Sequence, residues 1–465
     1  MSNKFKLWAL NHEEKSFINK QITCKPNELD SLSIIQCPQD LFYLKRFKEV
    51  IKNDLNHKYL GILPKTSNAK FVVWVFPYPL KLLHDFMIKK KWKKLYSSIG
   101  IFLFIYPNKK FATVIKNIVS AFKLFRNLKN KKDLLNHKFQ NILCGDLIYD
   151  SYLRFNKKPT LNVYDPTLIL FIIDCYNQIC FYQNFISKHK IQNYYSSYSS
   201  YVTHGIPVRV FLKHGVNVYT LSTAYLNQNQ FKKLSLEDFS HVNKHWEYRN
   251  IFKSLKNKEI IIKESLKSLN GRFNGLNDLN YMDVDPYKTT KNKMKFDFTM
   301  DGMIFLHDFF DSPHIYRRMV FVDFYEWIEH SIKLILKNNL NIGIKPHPNQ
   351  RPESRKIVNK LKSKYPTIIF IDEKISNKSI FDSGIRFGVS VHGSVLSELA
   401  YHNIKPISCG DNPASSFDYI YEAKSKNEYD NFILNHENLP LKKNIKKRIG
   451  EFYYMNHVYK YSSSL

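Results

Sequence analysis

The sequence predicts an α/β protein of two domains, with a doubly wound parallel sheet in the C-terminal domain. At 465 residues, the chain exceeds what one hydrophobic core usually organises. From Phe296 onward, short apolar runs alternate with longer segments of helical periodicity, which is typical of parallel strands joined by helices. We therefore expect an N-terminal domain at 1–285, a C-terminal domain at 286–430 and a basic helical tail at 431–465.

The C-terminal elements are predicted from the spacing of their apolar residues. Phe324, Ile328 and Ile332, for example, share one face of a helix. The predicted elements, in chain order, are strand 303–306, helix 321–336, strand 341–345, helix 352–364, strand 367–371, strand 387–391, helix 394–401 and strand 405–408.

The N-terminal half has a less regular pattern. The Tyr- and Ser-rich run 194–201 is interpreted as an exposed loop. A Lys- and Asn-rich segment between Gly271 and Lys295 is the expected connection to the second domain. Strands are predicted at 71–76, 100–106, 141–144 and 216–220, and a helix at 167–185.

The charge of the chain favours anionic partners. Its 71 Lys and Arg against 40 Asp and Glu give a net charge of +31, which suits lipid, nucleic acid or phosphorylated ligands. A nucleic-acid partner is not expected, because no helix-turn-helix or RNA-binding signature is present. The six cysteines form no CxxC pair and are expected to be reduced thiols. The N-terminus lacks a signal-peptide apolar region, and segment 168–180 is too short to span a bilayer, so a cytoplasmic location is predicted.

One amphipathic helix is predicted at 111–128. Its apolar stripe includes Phe111, Ile115, Val119 and Phe122, and its basic residues lie elsewhere on the helix. The expected outcome is that the stripe packs on its own domain. The alternative is peripheral contact with an anionic membrane, at the inner face of the cytoplasmic membrane.

The segment Lys345-Pro-His-Pro348 ends a predicted strand with two prolines around one histidine. Proline restricts the backbone on both sides, which holds the His347 imidazole at the carboxyl edge of the sheet, where ligands bind. There, an imidazole can contact a phosphate or supply a proton. Strand alternation places Lys345 on the opposite side. The alternative for His347 is a turn histidine with satisfied hydrogen bonds.

A second segment, Val389 to Glu398, runs from a strand through a turn of small residues into a helix. Backbone N–H groups at that helix start, with the hydroxyls of Ser390 and Ser394, are expected to bind an anion. Gly393 permits close approach of a phosphate, and Glu398 is placed to reach a ribose hydroxyl. Alternatively, Ser394 caps the helix.

A third cluster follows the first C-terminal strand and contains His307, Asp308, Asp311 and His314. Its spacing fits no recognised set of metal ligands, so no metal is expected. The cluster is predicted to contact an acceptor or to close the cleft.

The N-terminal half offers carboxylates at Asp146 and Asp150, four residues apart after a short strand. Either is a candidate general base for a hydroxyl group, with Asp146 preferred. The alternative is that Asp146 caps the helix while Asp150 pairs with Arg154. His204 and Arg209 are weaker candidates for acceptor contacts.

These motifs resemble bacterial capsule and surface-polysaccharide glycosyltransferases of the GT-B type, which have two Rossmann-like domains facing a cleft. The resemblance is carried by Lys345-Pro-His-Pro348, by Ser390-Val-His-Gly-Ser394 with Glu398, and by Gly145-Asp-Leu-Ile-Tyr-Asp150. The His-Pro pair followed by a serine-containing turn is similar to bacterial sialyltransferases and capsule Kdo transferases. The sialyltransferases carry an acidic pair before glycine, whereas here glycine precedes Asp146.

The resemblance implies an inverting, metal-independent transfer of a Kdo- or sialic-acid-like sugar from a CMP-linked donor to a glycan or lipid-linked acceptor. It implies that His347 contacts the donor phosphate and that an Asp acts as base. Teichoic-acid-type transferases share a similar turn, so a CDP-glycerol or UDP-sugar donor is the alternative, as is a non-catalytic protein that binds nucleotide sugars. The predicted donor-binding residues are Lys345, Pro348, Ser390, His392, Gly393, Ser394 and Glu398, and the acceptor-side candidates are His204, Arg209, His307 and Asp308.

Overall fold

The protein consists of two compact α/β units. In the N-terminal unit lie the described residues from 14 to 156 and from 161 to 241, and in the C-terminal unit those at 157–160 and from 242 to 459. Both units are Rossmann-like with largely parallel sheets, as the sequence predicts. The division at 242 lies earlier in the chain than the expected boundary at 286. The computed structural model describes residues 14–15, 32–36, 41–53, 58–62, 79–105, 111–221, 231–242, 244–273, 299–348, 350–440 and 442–459.

The described strands of the N-terminal unit form a six-stranded sheet in the order β3-β2-β1-β6-β7-β8, in which only β8 runs antiparallel to its neighbour. A small hairpin, β4-β5, stands apart from it. The elements are β1 Leu32–Gln36, α1 Leu41–Asn53, β2 Lys58–Ile62, α2 Pro79–Ser97, β3 Leu103–Ile105, α3 Phe111–Asn127, α4 Lys131–Leu135, β4 Lys138–Phe139, β5 Ile142–Leu143, α5 Gly145–Asn156, α6 Leu168–Ile186, β6 Ile191–Ser196, a π-helix Tyr201–Gly205, α7 Ile206–Lys213, β7 Asn217–Leu221 and β8 Phe231–Lys233.

Most predicted N-terminal elements that fall on described residues are present. The predicted helix at 167–185 is α6, and the predicted strands at 100–106 and 216–220 are β3 and β7. The exposed loop predicted at 194–201 is wrong, because Tyr194 and Tyr195 belong to β6 and are buried. The predicted strand at 71–76 lies outside the described residues.

The C-terminal unit contains a five-stranded, fully parallel sheet in the order β10-β9-β11-β12-β13, as far as the described residues show. Its elements are α8 His245–Ser254, α9 Lys258–Phe273, β9 Gly302–Phe305, α10 Phe324–Asn338, β10 Ile342–Lys345, α11 Pro352–Lys364, α12 Asn377–Phe381, β11 Phe387–Ser390, α13 Val395–Tyr401, β12 Lys405–Ser408, β13 Tyr421–Glu422, α14 Lys426–Leu434 and α15 Ile445–Tyr453.

Local sequence explains where the main helices of this unit begin and end. The carboxylate of Asp323 accepts hydrogen bonds from the backbone N–H groups of Tyr325 and Glu326, which fixes the start of α10. Asn339 ends the same helix in the left-handed conformation that asparagine tolerates. Helix α11 begins with proline at its first position, where the missing N–H costs nothing.

Two apolar clusters, one on each face, cover the C-terminal sheet. The basic tail forms α15, which buries Ile449 and Phe452 in the cluster that also contains Ile262 of α9. The strand predicted at 367–371 is reduced to one bridge between Phe370 and Ile344. No helix among the described residues has the length and hydropathy required to cross a bilayer.

Candidate functional site

The C-terminal sheet has a topological switch point between β9 and β11, because β10 lies on one side of β9 and the later strands lie on the other. In open α/β sheets, ligands bind beyond the carboxyl ends of the strands at such a point. A pocket that is partly open to solvent lies there, between the ends of β9, β10 and β11 and the starts of α12 and α13. The predicted site residues that line it are His307, Lys345, His347, Pro348, Ser390, Gly393, Ser394 and Glu398.

Lys345 is the last residue of β10 and has a buried ammonium group in this pocket, with 2% of the residue exposed. Burial lowers its pKa to about 8, although the carboxylates of Glu398, Glu373 and Asp372 act in the opposite direction. The expectation that Lys345 and His347 face opposite sides is wrong. Residues two positions apart along an extended chain face the same side, and both residues line the pocket.

The imidazole of His347 is held between the two prolines and is largely withdrawn from water. Burial lowers its pKa to about 4, and the neighbouring His307 and Lys345 act in the same direction. His347 is therefore neutral at pH 7 and can donate one hydrogen bond without carrying charge. The His307 ring stacks on Phe324, with ring centroids 4.6 Å apart, and its Nδ1 lies 3.5 Å from Oδ2 of Asp311.

Glu398 presents a buried carboxylate to the pocket from α13. Its Oε2 accepts a hydrogen bond from Nδ2 of Asn377 at 3.2 Å, and its Oε1 accepts one from the Ser394 hydroxyl at 3.3 Å. Ser394 makes no side-chain capping bond, so the alternative role as a helix cap is wrong. The sequence does not point to Asn377, since no local pattern connects residue 377 with residue 398.

Ser390 ends β11 and is already engaged with the sheet. Its hydroxyl donates to the backbone carbonyl of Phe305 at 3.1 Å, across the switch point. A Cβ at Gly393 would lie 3.0 Å from the Ser390 hydroxyl oxygen, which is tighter than ordinary contacts. Glycine at position 393 therefore keeps this wall of the pocket open. The hydroxyl proton of Ser390 is donated to a carbonyl group within the sheet.

His392 does not line the pocket. Its Nδ1 donates to the backbone carbonyl of Asp411 at 2.6 Å, and its ring stacks on Tyr316 with centroids 3.4 Å apart. Burial holds its pKa well below the usual range. His392 thus packs beside the pocket, and its donor-binding role stays a prediction.

Asp308 also has a structural position. Its carboxylate accepts hydrogen bonds from the backbone N–H of Phe310 at 2.8 Å, from that of Arg351 at 3.2 Å and from the Ser354 hydroxyl at 3.2 Å. These bonds fasten the loop after β9 to the start of α11. Within the described ranges, no three His, Cys, Asp or Glu side chains converge in a group that could hold a metal ion.

In the N-terminal unit, two candidates pair with each other. The guanidinium of Arg209 donates to both carboxylate oxygens of Asp146, at 2.6 Å for Oδ1, and also to the carbonyl of Leu143. The same guanidinium lies over the ring of Phe239. A carboxylate bound on both oxygens is a poor proton acceptor, so the structure gives Asp146 a stabilising role. Its assignment as a base stays a prediction.

Asp150 and His204 are buried in the same unit. Burial lowers the pKa of His204 to about 4, and its Nδ1 lies 3.3 Å from the hydroxyl of Ser196. His241, which no local motif singles out, is similar: burial lowers its pKa to about 3, and its Nδ1 lies 3.1 Å from the Ser199 hydroxyl. Both histidines are held in hydrogen bonds inside their own unit.

No protein-family model matches this sequence, and no curated protein matches it significantly. Solved structures with a similar backbone include Thermosulfurimonas dismutans KpsC, a beta Kdo 2,4 transferase. It is 11% identical with a TM-score of 0.35, over 56% of this chain and 78% of that one. UDP-GlcNAc 2-epimerase of Methanocaldococcus jannaschii is 10% identical with a TM-score of 0.29, over 90% and 97% of the two chains. The Neisseria meningitidis UDP-GlcNAc 2-epimerase is 7% identical with a TM-score of 0.25, over 91% and 95%. These values describe a distant resemblance of the backbone.

Proposed function

We propose that this protein is a glycosyltransferase of capsule or surface-polysaccharide synthesis that uses a nucleotide-linked donor, with a CMP-linked acidic sugar as the first candidate. The observation that carries the proposal is the pocket at the switch point, where a buried ammonium, a neutral imidazole and a buried carboxylate meet. These three groups match the phosphate and the hydroxyl groups of a nucleotide.

The ammonium of Lys345 supports an anionic ligand. Keeping a cation out of water is unfavourable, and burial already lowers its pKa to about 8. A phosphate in the pocket would compensate for the lost hydration and raise that pKa again. His347 would add a hydrogen bond to the phosphate as the donor bond breaks, and this contact grows stronger as negative charge develops on the leaving group.

The carboxylate of Glu398 supports a hydroxyl-bearing ligand. Asn377 and Ser394 hold its two oxygens in place, and a carboxylate oriented in this way accepts a hydrogen bond from a ribose or sugar hydroxyl. The proposal therefore assigns phosphate binding to Lys345 and His347, and hydroxyl binding to Glu398. Asp146 and Asp150 remain the candidates for the base.

Thermal denaturation with a panel of CMP, CDP and UDP tests the proposal. A ligand present at about 100 times its dissociation constant stabilises the native state by about 2.7 kcal/mol, which raises the melting temperature by several degrees. We expect CMP to give the largest rise, and we expect Lys345→Met to remove it. The matched control Lys360→Met changes an exposed lysine of α11 and should retain it.

The outcomes of this panel separate the alternatives. A larger rise with CDP or UDP would assign the donor to glycerol phosphate or to a UDP-sugar. No rise with any nucleotide would overturn the proposal. We also propose that transfer needs no divalent ion, so EDTA should leave transfer unchanged, and activity restored by Mg²⁺ after EDTA would contradict this.

A further inference from the structure

Helix α3 of the N-terminal unit presents a row of large apolar side chains to solvent. Phe111 is 81% exposed, Ile115 48%, Val119 64% and Phe122 49%. Their spacing of three or four residues places them along one face, over a length of about 16 Å. Single exposed apolar residues are common, whereas a continuous row marks an interaction surface. The expectation that the whole stripe packs on its own domain is thus wrong for these four residues.

The opposite face of α3 is fixed to the unit. Ala121 is fully buried, and Asn117 donates from Nδ2 to Oδ1 of Asn177 on α6 at 3.0 Å, where both amides are buried. Rotating the helix to hide the apolar row would leave these buried amides without partners, which is costly. The exposure of the row is therefore determined by the fold.

The charged residues of α3 all have one sign. Lys116, Lys123 and Arg126 lie on α3 and are exposed. From Leu103 to Lys132 the sequence contains no Asp or Glu. The surface thus combines apolar side chains with an unbroken positive charge, a combination that binds the interface of an anionic bilayer.

We propose that α3 docks on an anionic lipid bilayer, parallel to its plane. The row from Phe111 to Phe122 enters the boundary between headgroups and acyl chains, and Lys116, Lys123 and Arg126 contact lipid phosphates. A second copy of the chain fits this surface poorly, because it would place two basic helices together in a protein of net charge +31. The inference is independent of the proposed transferase function.

Vesicle co-sedimentation tests the inference with the full chain. Vesicles of phosphatidylcholine alone are compared with vesicles that contain an equal part of phosphatidylglycerol. We expect the protein to bind the anionic vesicles at least about tenfold more tightly and to lose binding as salt increases. Phe111→Ser with Phe122→Ser should weaken this binding about tenfold.

The two contributions are separated by a second variant and a matched control. Lys116→Gln, Lys123→Gln and Arg126→Gln together should abolish the preference for anionic vesicles. The control changes Lys333 and Lys337 to Gln and Leu336 to Ser on α10, all of them also exposed, and should bind as the unmodified protein does. All substitutions are at exposed positions, and CMP-induced stabilisation reports separately on the pocket.

A spectroscopic probe locates the contact. The emission of the tryptophan introduced in Val119→Trp is obtained by subtracting the spectrum of the unmodified protein. This emission should shift to shorter wavelength when anionic vesicles are added. Equal binding to both vesicle types, an unshifted Val119→Trp spectrum or an equal loss in the α10 control would overturn the inference. A concentration-dependent dimer that disappears in the Phe111→Ser, Phe122→Ser variant would replace the bilayer with a second copy.

Discussion

The switch points of the two sheets both carry polar side chains. In the N-terminal unit these side chains are hydrogen-bonded to neighbouring groups, whereas in the C-terminal unit they line an open pocket. In the N-terminal unit the switch point lies between β1 and β6, which end at Gln36 and Ser196. The Gln36 amide donates to the carbonyl of Thr203 at 2.9 Å and accepts from the Tyr194 hydroxyl at 2.7 Å. The Ser196 hydroxyl lies 3.3 Å from Nδ1 of His204. Each of these polar side chains therefore has a hydrogen-bond partner within the N-terminal unit.

In the C-terminal unit, the corresponding edge is an open pocket. Lys345 and His347 line it, and Glu398 is held there by two neighbours that orient it. Both sheets thus have polar side chains at the ends of their strands. What distinguishes a ligand site is a charged group at the edge that is buried in an open pocket, because such a group gains most from a bound counter-ion.

The first prediction concerns the pair that makes Asp146 structural. Arg209→Met should destabilise the protein by about 3 kcal/mol, since it removes the guanidinium that pairs with a largely buried carboxylate. CMP affinity should be unchanged. Chemical denaturation measures the first effect and calorimetric titration the second. Lys244→Met, which removes a more exposed ion pair with Glu247, is the control and should cost less than about 1 kcal/mol.

The complementary variant sharpens this test. Asp146→Asn should also lose stability if the pair is structural. An Asp146→Asn protein that keeps full stability but loses transfer would instead establish Asp146 as the base and weaken the contrast between the two units.

The second prediction concerns the buried cation of the pocket. Lys345→Met should weaken CMP binding about 100-fold, because a charge-assisted hydrogen bond to phosphate contributes about 2–3 kcal/mol. Calorimetric titration measures the dissociation constant, and circular dichroism confirms the fold. If folded Lys345→Met bound CMP with unchanged affinity, a buried charged group would no longer distinguish the strand ends of the C-terminal sheet from those of the N-terminal sheet.

The third prediction compares two histidines with similarly lowered pKa values. His347→Ala should weaken CMP binding about tenfold, because it removes one neutral hydrogen bond, and His347→Gln should recover part of the loss. His204→Ala should lower the melting temperature and leave CMP affinity as it was. Weakened CMP binding in His204→Ala, together with unchanged CMP binding in His347→Ala, would place the ligand at the strand ends of the N-terminal sheet.

The fourth and smallest effect is the pH dependence of CMP binding. The free Lys345 ammonium has a pKa lowered to about 8, and a bound phosphate raises it, so protonated Lys345 is required for tight binding. Affinity should therefore fall by about fivefold between pH 8 and pH 9. Between pH 6 and 7 the CMP phosphate itself titrates, with a second pKa of about 6, whereas His347 stays neutral and should add no pH dependence of its own. Titration of Lys345→Met should give no fall above pH 8.

Much of the C-terminal unit was predictable because its elements follow local patterns. The predicted helix at 352–364 and the predicted strand at 405–408 agree with α11 and β12 residue by residue. The buried run at Tyr194 was not predictable, since Tyr and Ser suit both a surface loop and a strand covered on both faces. Composition alone does not distinguish these two environments.

The candidate site also has features that local sequence predicts and features that it does not predict. The motif around His347 and the turn before Glu398 are local, and both lie at the pocket as predicted. The hydrogen bonds of His392 and Asp308 were not predicted, because their partners, the carbonyl of Asp411 and the backbone N–H of Arg351, are distant in the chain. The ligand roles of these two residues stay predictions. Hydrogen bonds between remote segments leave no periodic trace in a sequence.

By itself, the sequence determined the α/β class, the alternation of strands and helices, and the strand ends that bear polar side chains, because these depend on residues a few positions apart. Only the tertiary structure decided which polar groups satisfy one another and which line a pocket. It also decided that Asn377 holds the Glu398 carboxylate in the pocket, and that α3 turns its apolar row outward. Each of these outcomes depends on the packing of segments that are far apart in the chain.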